Sequence, residues 1–272
     1  MYIYNHPSGR LGNAIYRYIA SIIFGTIYGN FIISDELHHQ STIIDDEYYI
    51  TWLTNVKNNN IPQIDKDANY IFKGFFQHDY SIYKNIINNY ILNHPHDKIW
   101  TDGNNSNNNN YNYPAIFYES HQLIENTEKK YEIVIHLRLE DSILGNRTMN
   151  PNSLLTIINS LPSHKICIVV NSPHTELEMK YIDFFRNKYD IIVESNDPIT
   201  DYQIMKNAKI LITSTSTLSW CAALMGNTIE SVYFPNIKKN RNHICESLQT
   251  PVKNTILYDY NILDKDELYK IL

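Results

Sequence analysis

Five short runs rich in isoleucine and valine constrain this chain more than any other feature: Tyr131–Leu137, Lys165–Asn171, Asp190–Glu194, Lys209–Thr213 and Ser231–Phe234. Near-continuous apolar strands with helices between them predict a parallel sheet covered on both faces. The helix signals are specific. Asn150-Pro151 reads as an N-cap followed by proline at the first helical position. Thr175-x-x-Glu178 and Thr200-x-x-Gln203 fit capping boxes. Leu177, Tyr181, Phe184 and Lys188 recur at helical spacing, with the lysine closing the last turn. Ligands of such sheets bind beyond the carboxyl ends of the strands, so the residues after Leu137 and after Thr213 are where chemistry is expected.

The N-terminal part has a different texture. A short strand (Tyr2–Tyr4) runs into a loop through Gly9 and Gly12, then a helix from about Ala14 to Tyr28. Ile32–Ser34 and Ala68–Phe72 are further strand candidates, so this part also reads as α/β. The polar run Asp102–Asn110 is low-complexity and reads as an exposed linker. The expected division is an N-terminal α/β domain over 1–113, with the Asn-rich linker at about 102–112, and a C-terminal domain over 114–272. The last segment is free to pack back on the N-terminal domain.

Composition narrows the class. With 272 residues, 43% hydrophobic and 19% charged, the chain has the make-up of a soluble globular protein with a substantial core. A net charge of −6, with no basic block longer than Lys238–Arg241, argues against a nucleic-acid surface. Cys167, Cys221 and Cys245 are odd in number and widely spaced, which suits reduced structural thiols. The N-terminus enters a glycine loop at once, leaving no room for a signal peptide. The apolar stretch Tyr18–Tyr28 is interrupted by Ser21, Gly25 and Thr26 and is too short to span a bilayer. A cytoplasmic protein is expected. The 22 tyrosines look like a coding bias more than a functional device.

Three segments carry candidate chemistry. In Gly9-Arg10-Leu11-Gly12-Asn13, two glycines and an asparagine precede a helix, which lets backbone approach a ligand and offers N–H donors. In His136-Leu137-Arg138-Leu139-Glu140-Asp141, an arginine at a strand end can either clamp a diphosphate or pair with Glu140 or Asp141 on the sheet rim. In Leu211–Leu224, an apolar strand enters six hydroxyl residues within seven positions and then an apolar helix. That is either a phosphate cradle at a helix N-terminus or a Ser/Thr turn with an ordinary cap. Asp65-Lys66-Asp67 and Asp264-Lys265-Asp266 follow no strong apolar strand, and His38-His39 and His94-Pro95-His96 lie in polar surroundings, so no metal site is expected.

In this order the segments resemble the fucosyltransferase superfamily, most closely the α-1,2-fucosyltransferases of glycosyltransferase family 11. Gly9 to Tyr18 matches that family's G-x-L-G-N-x-x-F/Y-x-Y opening. His136, Arg138 and Asp141 match H-x-R-R-x-D, and Ser214 to Leu224 follows its strand-to-helix motif. Gly74-Phe75-Phe76-Gln77 is similar to G-Y-F-Q. Leu139 stands where the family has a second arginine, and Cys221 where it has a second tryptophan.

The resemblance implies a GT-B architecture, two Rossmann-like domains facing across a cleft. It implies an inverting transfer of fucose from GDP-fucose to a glycan hydroxyl, α-1,2 to galactose, with no metal or other cofactor. Arg138, Asp141 and His136 would form the catalytic group. Gly9, Arg10, Gly12, Asn13, Arg138, Ser214, Thr215, Ser216, Thr217 and Ser219 would hold the donor. Asp141 has two candidate roles, base or positioning of Arg138, and His136 is expected to orient Arg138 or touch the nucleotide. Trp220 is expected beneath the turn, Phe75 and Phe76 in the core, and Gln77 and Tyr80 near an acceptor. Two other readings stand beside this one. The fold can serve another nucleotide sugar, or the chain is a transferase-derived sugar-binding protein without turnover.

Overall fold

β-branched runs between capped helices fold here into two parallel sheets. The computed structural model describes residues 1–34, 36–78, 80–94, 131–145, 148–161, 165–236 and 254–272. The Asn-rich run, the Lys238–Arg241 block and Cys245 lie outside the described residues. The chain divides into two compact units, Met1–Glu125 and Asn126–Leu272.

The first unit contains β1 (Tyr2–Asn5), α1 (Leu11–Tyr28), β2 (Ile32–Ser34), β3 (Ser41–Ile44), α2 (Asp46–Lys57), β4 (Asn69–Phe72) and α3 (Lys84–Asn93). Its strands pair in the order β2-β1-β4-β3, all parallel. Helix α1 begins at Leu11 rather than Ala14, which moves Gly12 and Asn13 from the loop into the first helical turn. The core is aromatic: Phe24 meets Tyr28, Trp52, Tyr70 and Phe72 at centroid distances of 5.0–5.4 Å. Burying so many tyrosines requires acceptors for their hydroxyls. They find backbone carbonyls: Tyr28 bonds to Pro62 (2.6 Å), Tyr49 to Ala20 (3.1 Å) and Tyr80 to Phe76 (2.8 Å). These three tyrosines therefore have a structural use, since each ring fills core while its hydroxyl ties down a loop or helix.

The second unit contains β5 (Ile133–Leu137), α4 (Glu140–Leu144), β6 (Thr148–Met149), α5 (Pro151–Ile158), β7 (Lys165–Val170), α6 (Glu176–Arg186), β8 (Asp190–Glu194), α7 (Pro198–Lys206), β9 (Ile210–Ile212), α8 (Thr217–Met225), β10 (Ser231–Asn236), β11 (Thr255–Asp259), β12 (Ile262–Leu263) and α9 (Lys265–Ile271). Six strands pair in the order β11-β10-β9-β5-β7-β8, all parallel, as expected of a Rossmann-like sheet. β6 and β12 form a small antiparallel pair. Ile135, Leu137, Ile168, Val170, Tyr181 and Phe185 are buried together, and the last segment adds Tyr258, Tyr260 and Leu268 to this core.

The caps explain where the helices start. Asn150 caps α5 with Pro151 at its first position, and Thr175 with Glu178 forms a complete capping box on α6. The proposed box at Thr200 is corrected. Helix α7 starts at Pro198, where Asp197 accepts from the N–H groups of Ile199 and Thr200. Aspartate followed by proline at the first helical position is the stronger start, and the Thr200 hydroxyl is itself spent on Asp197 (2.6 Å). No helix among the described residues is long and apolar enough to cross a membrane.

Candidate functional site

In the second unit the chain runs from β5 to β7 and β8 on one side, and from β9 to β10 and β11 on the other. Right-handed crossovers then lie on opposite faces of the sheet, and a crevice opens between β5 and β9 at their carboxyl ends. His136, on β5, and Ser214, just beyond β9, meet there, with Nδ1 and Oγ 2.9 Å apart. Ser214 Oγ accepts from the Ser216 N–H (3.3 Å). The roles in the bond to His136 follow the imidazole tautomer: an Nε2–H imidazole accepts from the Ser214 hydroxyl, and an Nδ1–H imidazole donates to it. Burial, and second the charge of Arg138, push the His136 pKa down to about 3.

The hydroxyl-rich turn is held from below. Trp220 lies under it, donating its indole N–H to the Ser214 carbonyl (2.9 Å) and packing on Phe234 (4.2 Å between centroids). Tyr258 donates to the Thr213 carbonyl (2.6 Å), and the Thr213 hydroxyl to the Tyr233 carbonyl (3.1 Å). Ser216 is the N-cap of α8, and Ser219 donates to the Ser216 carbonyl (3.0 Å). The hydroxyls of Ser214, Ser216 and Ser219 are therefore all engaged within the protein. The hydroxyls of Thr215 and Thr217, half-buried, have no partner among the described residues. They stand at the N-terminal end of α8, a nine-residue helix without an acidic residue in its first turn. The turn thus offers an anion two hydroxyls and a helix end, with three serines as its frame.

Arg138 leaves β5 onto the sheet rim and is held by Asp141, on α4. Its Nε donates to Asp141 Oδ1 (2.8 Å) and its Nη2 to Oδ2, a bidentate fork. Both side chains stay about a quarter to a third exposed (31% and 26%). Glu140 does not join them and accepts instead from Asn171 (3.1 Å) at the end of β7. Both carboxylate oxygens of Asp141 are taken by the Arg138 guanidinium, which suits Asp141 to aiming Arg138.

The first unit brings two sequence-distant motifs together. β1 and β4 are neighbours, so the loops after Asn5 and after Phe72 leave the sheet side by side. Arg17, 1% exposed, clamps both: Nη2 donates to the Ser8 carbonyl (2.9 Å), the Ser8 hydroxyl (2.8 Å) and the Gly74 carbonyl (2.9 Å). Asp46 accepts from the N–H groups of Phe75 (3.0 Å) and Phe76 (2.6 Å). Held this way, Phe76 sits at φ +50°, a conformation costly for a bulky residue. Gln77 then donates from Nε2 to Asn13 Oδ1 (3.0 Å). Gly9 has φ +79°, and a Cβ there would lie 2.8 Å from Asn13 Nδ2, so the site needs glycine twice over.

Other expectations divide. Arg10 is the exposed N-cap residue of α1 and Gly12 is buried in its first turn. Phe76 is core as expected, but Phe75 is 40% exposed. Tyr80 is fully buried with its hydroxyl on Phe76, which removes it from any acceptor surface. Asp65 accepts from the Asp67 N–H (2.9 Å), and Asp264 caps α9 in a box with Glu267. Among the described residues no three His, Cys, Asp or Glu side chains are grouped to hold a metal. Cys167 and Cys221 are buried thiols. Arg17 and Asp46 were not singled out from sequence.

No family model and no curated protein matches the chain. Among solved structures it is similar to POFUT1 in complex with GDP, at 9% identity and TM-score 0.43, covering 94% of this chain and 97% of that one. It is similar to E. coli heptosyltransferase WaaC with ADP, at 8% identity and TM-score 0.47, covering 98% and 95%. POFUT1 in complex with GDP-fucose is matched at 12% identity and TM-score 0.34, covering 94% and 73%. At such identities these neighbours assign no role to any residue of this chain.

Proposed function

We propose that the chain is an inverting glycosyltransferase of GT-B type that moves fucose from GDP-fucose to a glycan hydroxyl, α-1,2 to galactose, without a metal. The observation that supports this best is the His136–Ser214 contact at the β5/β9 crevice, with Arg138 on its rim and α8 starting beside it. The acceptor hydroxyl attacks the anomeric carbon while the bond from that carbon to the β-phosphate oxygen breaks. GDP leaves with the bonding pair, and the hydroxyl proton passes to a base and then to solvent. Arg138, the α8 N-terminus, Thr215 and Thr217 take up the charge that develops on the diphosphate. His136, its Nδ1 bonded to Ser214, touches the nucleotide through Nε2 rather than acting as the base. Asp141 aims Arg138. Asn13 is read as a further contact to the donor.

The test is thermal melting with GDP, UDP and ADP in EDTA, on wild type and Arg138→Ala. Nucleotide at 100 times its Kd adds about 2.7 kcal/mol, readily seen as a melting shift. A shift with GDP that Arg138→Ala abolishes supports this reading, followed by fucose release to water from GDP-fucose. A shift with UDP or ADP alone replaces the donor. Nucleotide binding without any turnover leaves a transferase-derived binding protein. No shift with any of the three overturns the proposal.

A further inference from the structure

Gln77 lies outside the donor-holding set, yet the structure ties it to Asn13, which that set includes. From the Asn13–Gln77 contact we infer that Gln77 is a positioning residue, fixing the Asn13 amide so that its NH2, not its carbonyl, meets the ligand. The inference rests on the proposed function, since Asn13 is read there as approaching the donor.

The argument is one of polarity. Gln77 Nε2 donates to Asn13 Oδ1 (3.0 Å), across 64 positions of sequence. An amide whose oxygen is taken presents its nitrogen on the opposite side. Asn13 is half-buried, and Nδ2 passes close over Gly9, where a Cβ would stand only 2.8 Å away. The NH2 therefore lies against Gly9, which has no side chain to crowd it. A donor so placed suits a ligand oxygen.

Such control works only if Gln77 itself cannot drift. It is 6% exposed, and its loop is pinned through three neighbouring residues. The Gly74 carbonyl is held by Arg17, the Phe75 and Phe76 N–H groups by Asp46, and the Phe76 carbonyl by Tyr80. Phe76 pays in backbone strain for this arrangement, at φ +50°. Strain of this kind persists where surrounding contacts over-determine the chain, and it concentrates at binding and catalytic sites.

The experiment is a double-mutant cycle on the full chain, with GDP affinity measured by calorimetry for wild type, Gln77→Met, Asn13→Ala and the pair. Methionine keeps the length of glutamine and removes its polarity. Losing the orienting bond is expected to weaken GDP binding by ~5–10-fold. In the Asn13→Ala background the same substitution should change affinity by less than twofold, because the group it orients is gone. Gln77→Asn, too short to reach Asn13, should behave as Gln77→Met does, and melting without nucleotide reads out any purely structural effect. Additive losses, or a Gln77→Met protein that binds GDP like wild type, overturn the inference while leaving the function standing. If the wild type binds no GDP, the donor assignment fails first and this inference falls with it.

Discussion

His136, on β5, and Ser214, just beyond the neighbouring β9, are 78 positions apart in sequence, and their side chains share one hydrogen bond of 2.9 Å. Burial, and second the charge of Arg138, keep the imidazole neutral, and that has a pH signature. Unfolded, the histidine takes a proton near its ordinary pKa; folded, it resists until about 3. Between those values the unfolded chain holds a proton the folded chain lacks, so stability falls as pH drops, by about 1.4 kcal/mol per unit. Urea unfolding at pH 7, 6 and 5 should show stability falling more steeply with acid in the wild type than in His136→Asn, by up to that amount per unit. Equal slopes would mean the native imidazole takes up its proton at the same pH as the unfolded one.

Asp201 works in the opposite direction. Burial, ahead of its bonds from Asn196, raises its carboxyl from 3.8 to about 6. Between these values the folded chain holds the extra proton, so this group adds stability as pH falls through 6 and removes it as pH rises. The two slopes oppose each other between about 4 and 6. Asp201→Asn, which keeps an acceptor for the Asn196 N–H (3.2 Å), should gain more over wild type at pH 8 than at pH 4. A constant difference across that range would assign Asp201 an ordinary pKa.

Arg138 and Asp141 separate charge stabilisation from proton transfer. Arg138→Ala is expected to lower fucosyl transfer by ~10²–10³-fold, the usual cost of one charge-stabilising donor at a transition state. Asp141→Asn leaves the arginine present but badly aimed, for a loss of ~10-fold. Because Asp141 aims rather than accepts a proton, the acid limb of the kcat profile should survive the substitution. A loss larger than that of Arg138→Ala, with the acid limb gone, would make Asp141 the base.

What was legible in the sequence follows from where each signal resides. The strands of the second unit are buried runs of isoleucine and valine, and the caps at Asn150 and Thr175 lie within four residues of the helices they start. Such information is local. β3 escaped because Ser41–Ile44 buries only Ile44, so it shows neither alternation nor an apolar run. Helix α2 escaped because it buries little besides Tyr49, Trp52 and Leu53, although Asp45 ahead of Asp46 and Glu47 is a fair N-terminal signal. The site divides the same way. Hydroxyls and arginine can be read as residue types, but which serines face inward depends on carbonyls that only the fold supplies. Arg17 is the clearest case: its acceptors at Ser8 and Gly74 are mostly backbone, 9 and 57 residues away, and backbone leaves no trace in sequence.

The hydroxyl turn gives the last prediction, since its two classes of side chain should fail differently. Ser216 caps α8 through its hydroxyl, and Ser216→Ala is expected to cost about 1 kcal/mol of stability, as caps do. Ser214→Ala removes a hydrogen-bond partner of a buried imidazole and should cost about 1–3 kcal/mol. Thr215→Val and Thr217→Val keep shape and β-branching, and the hydroxyls they delete serve no other described group. Their melting temperatures should stay near wild type, while each weakens GDP by ~3–10-fold through one lost hydrogen bond. Stability from urea midpoints, set against GDP affinity for all four variants, should place the serines on one axis and the threonines on the other. If the threonine variants bind GDP normally, the diphosphate is not held at this helix end, and the turn is a capped corner of the sheet.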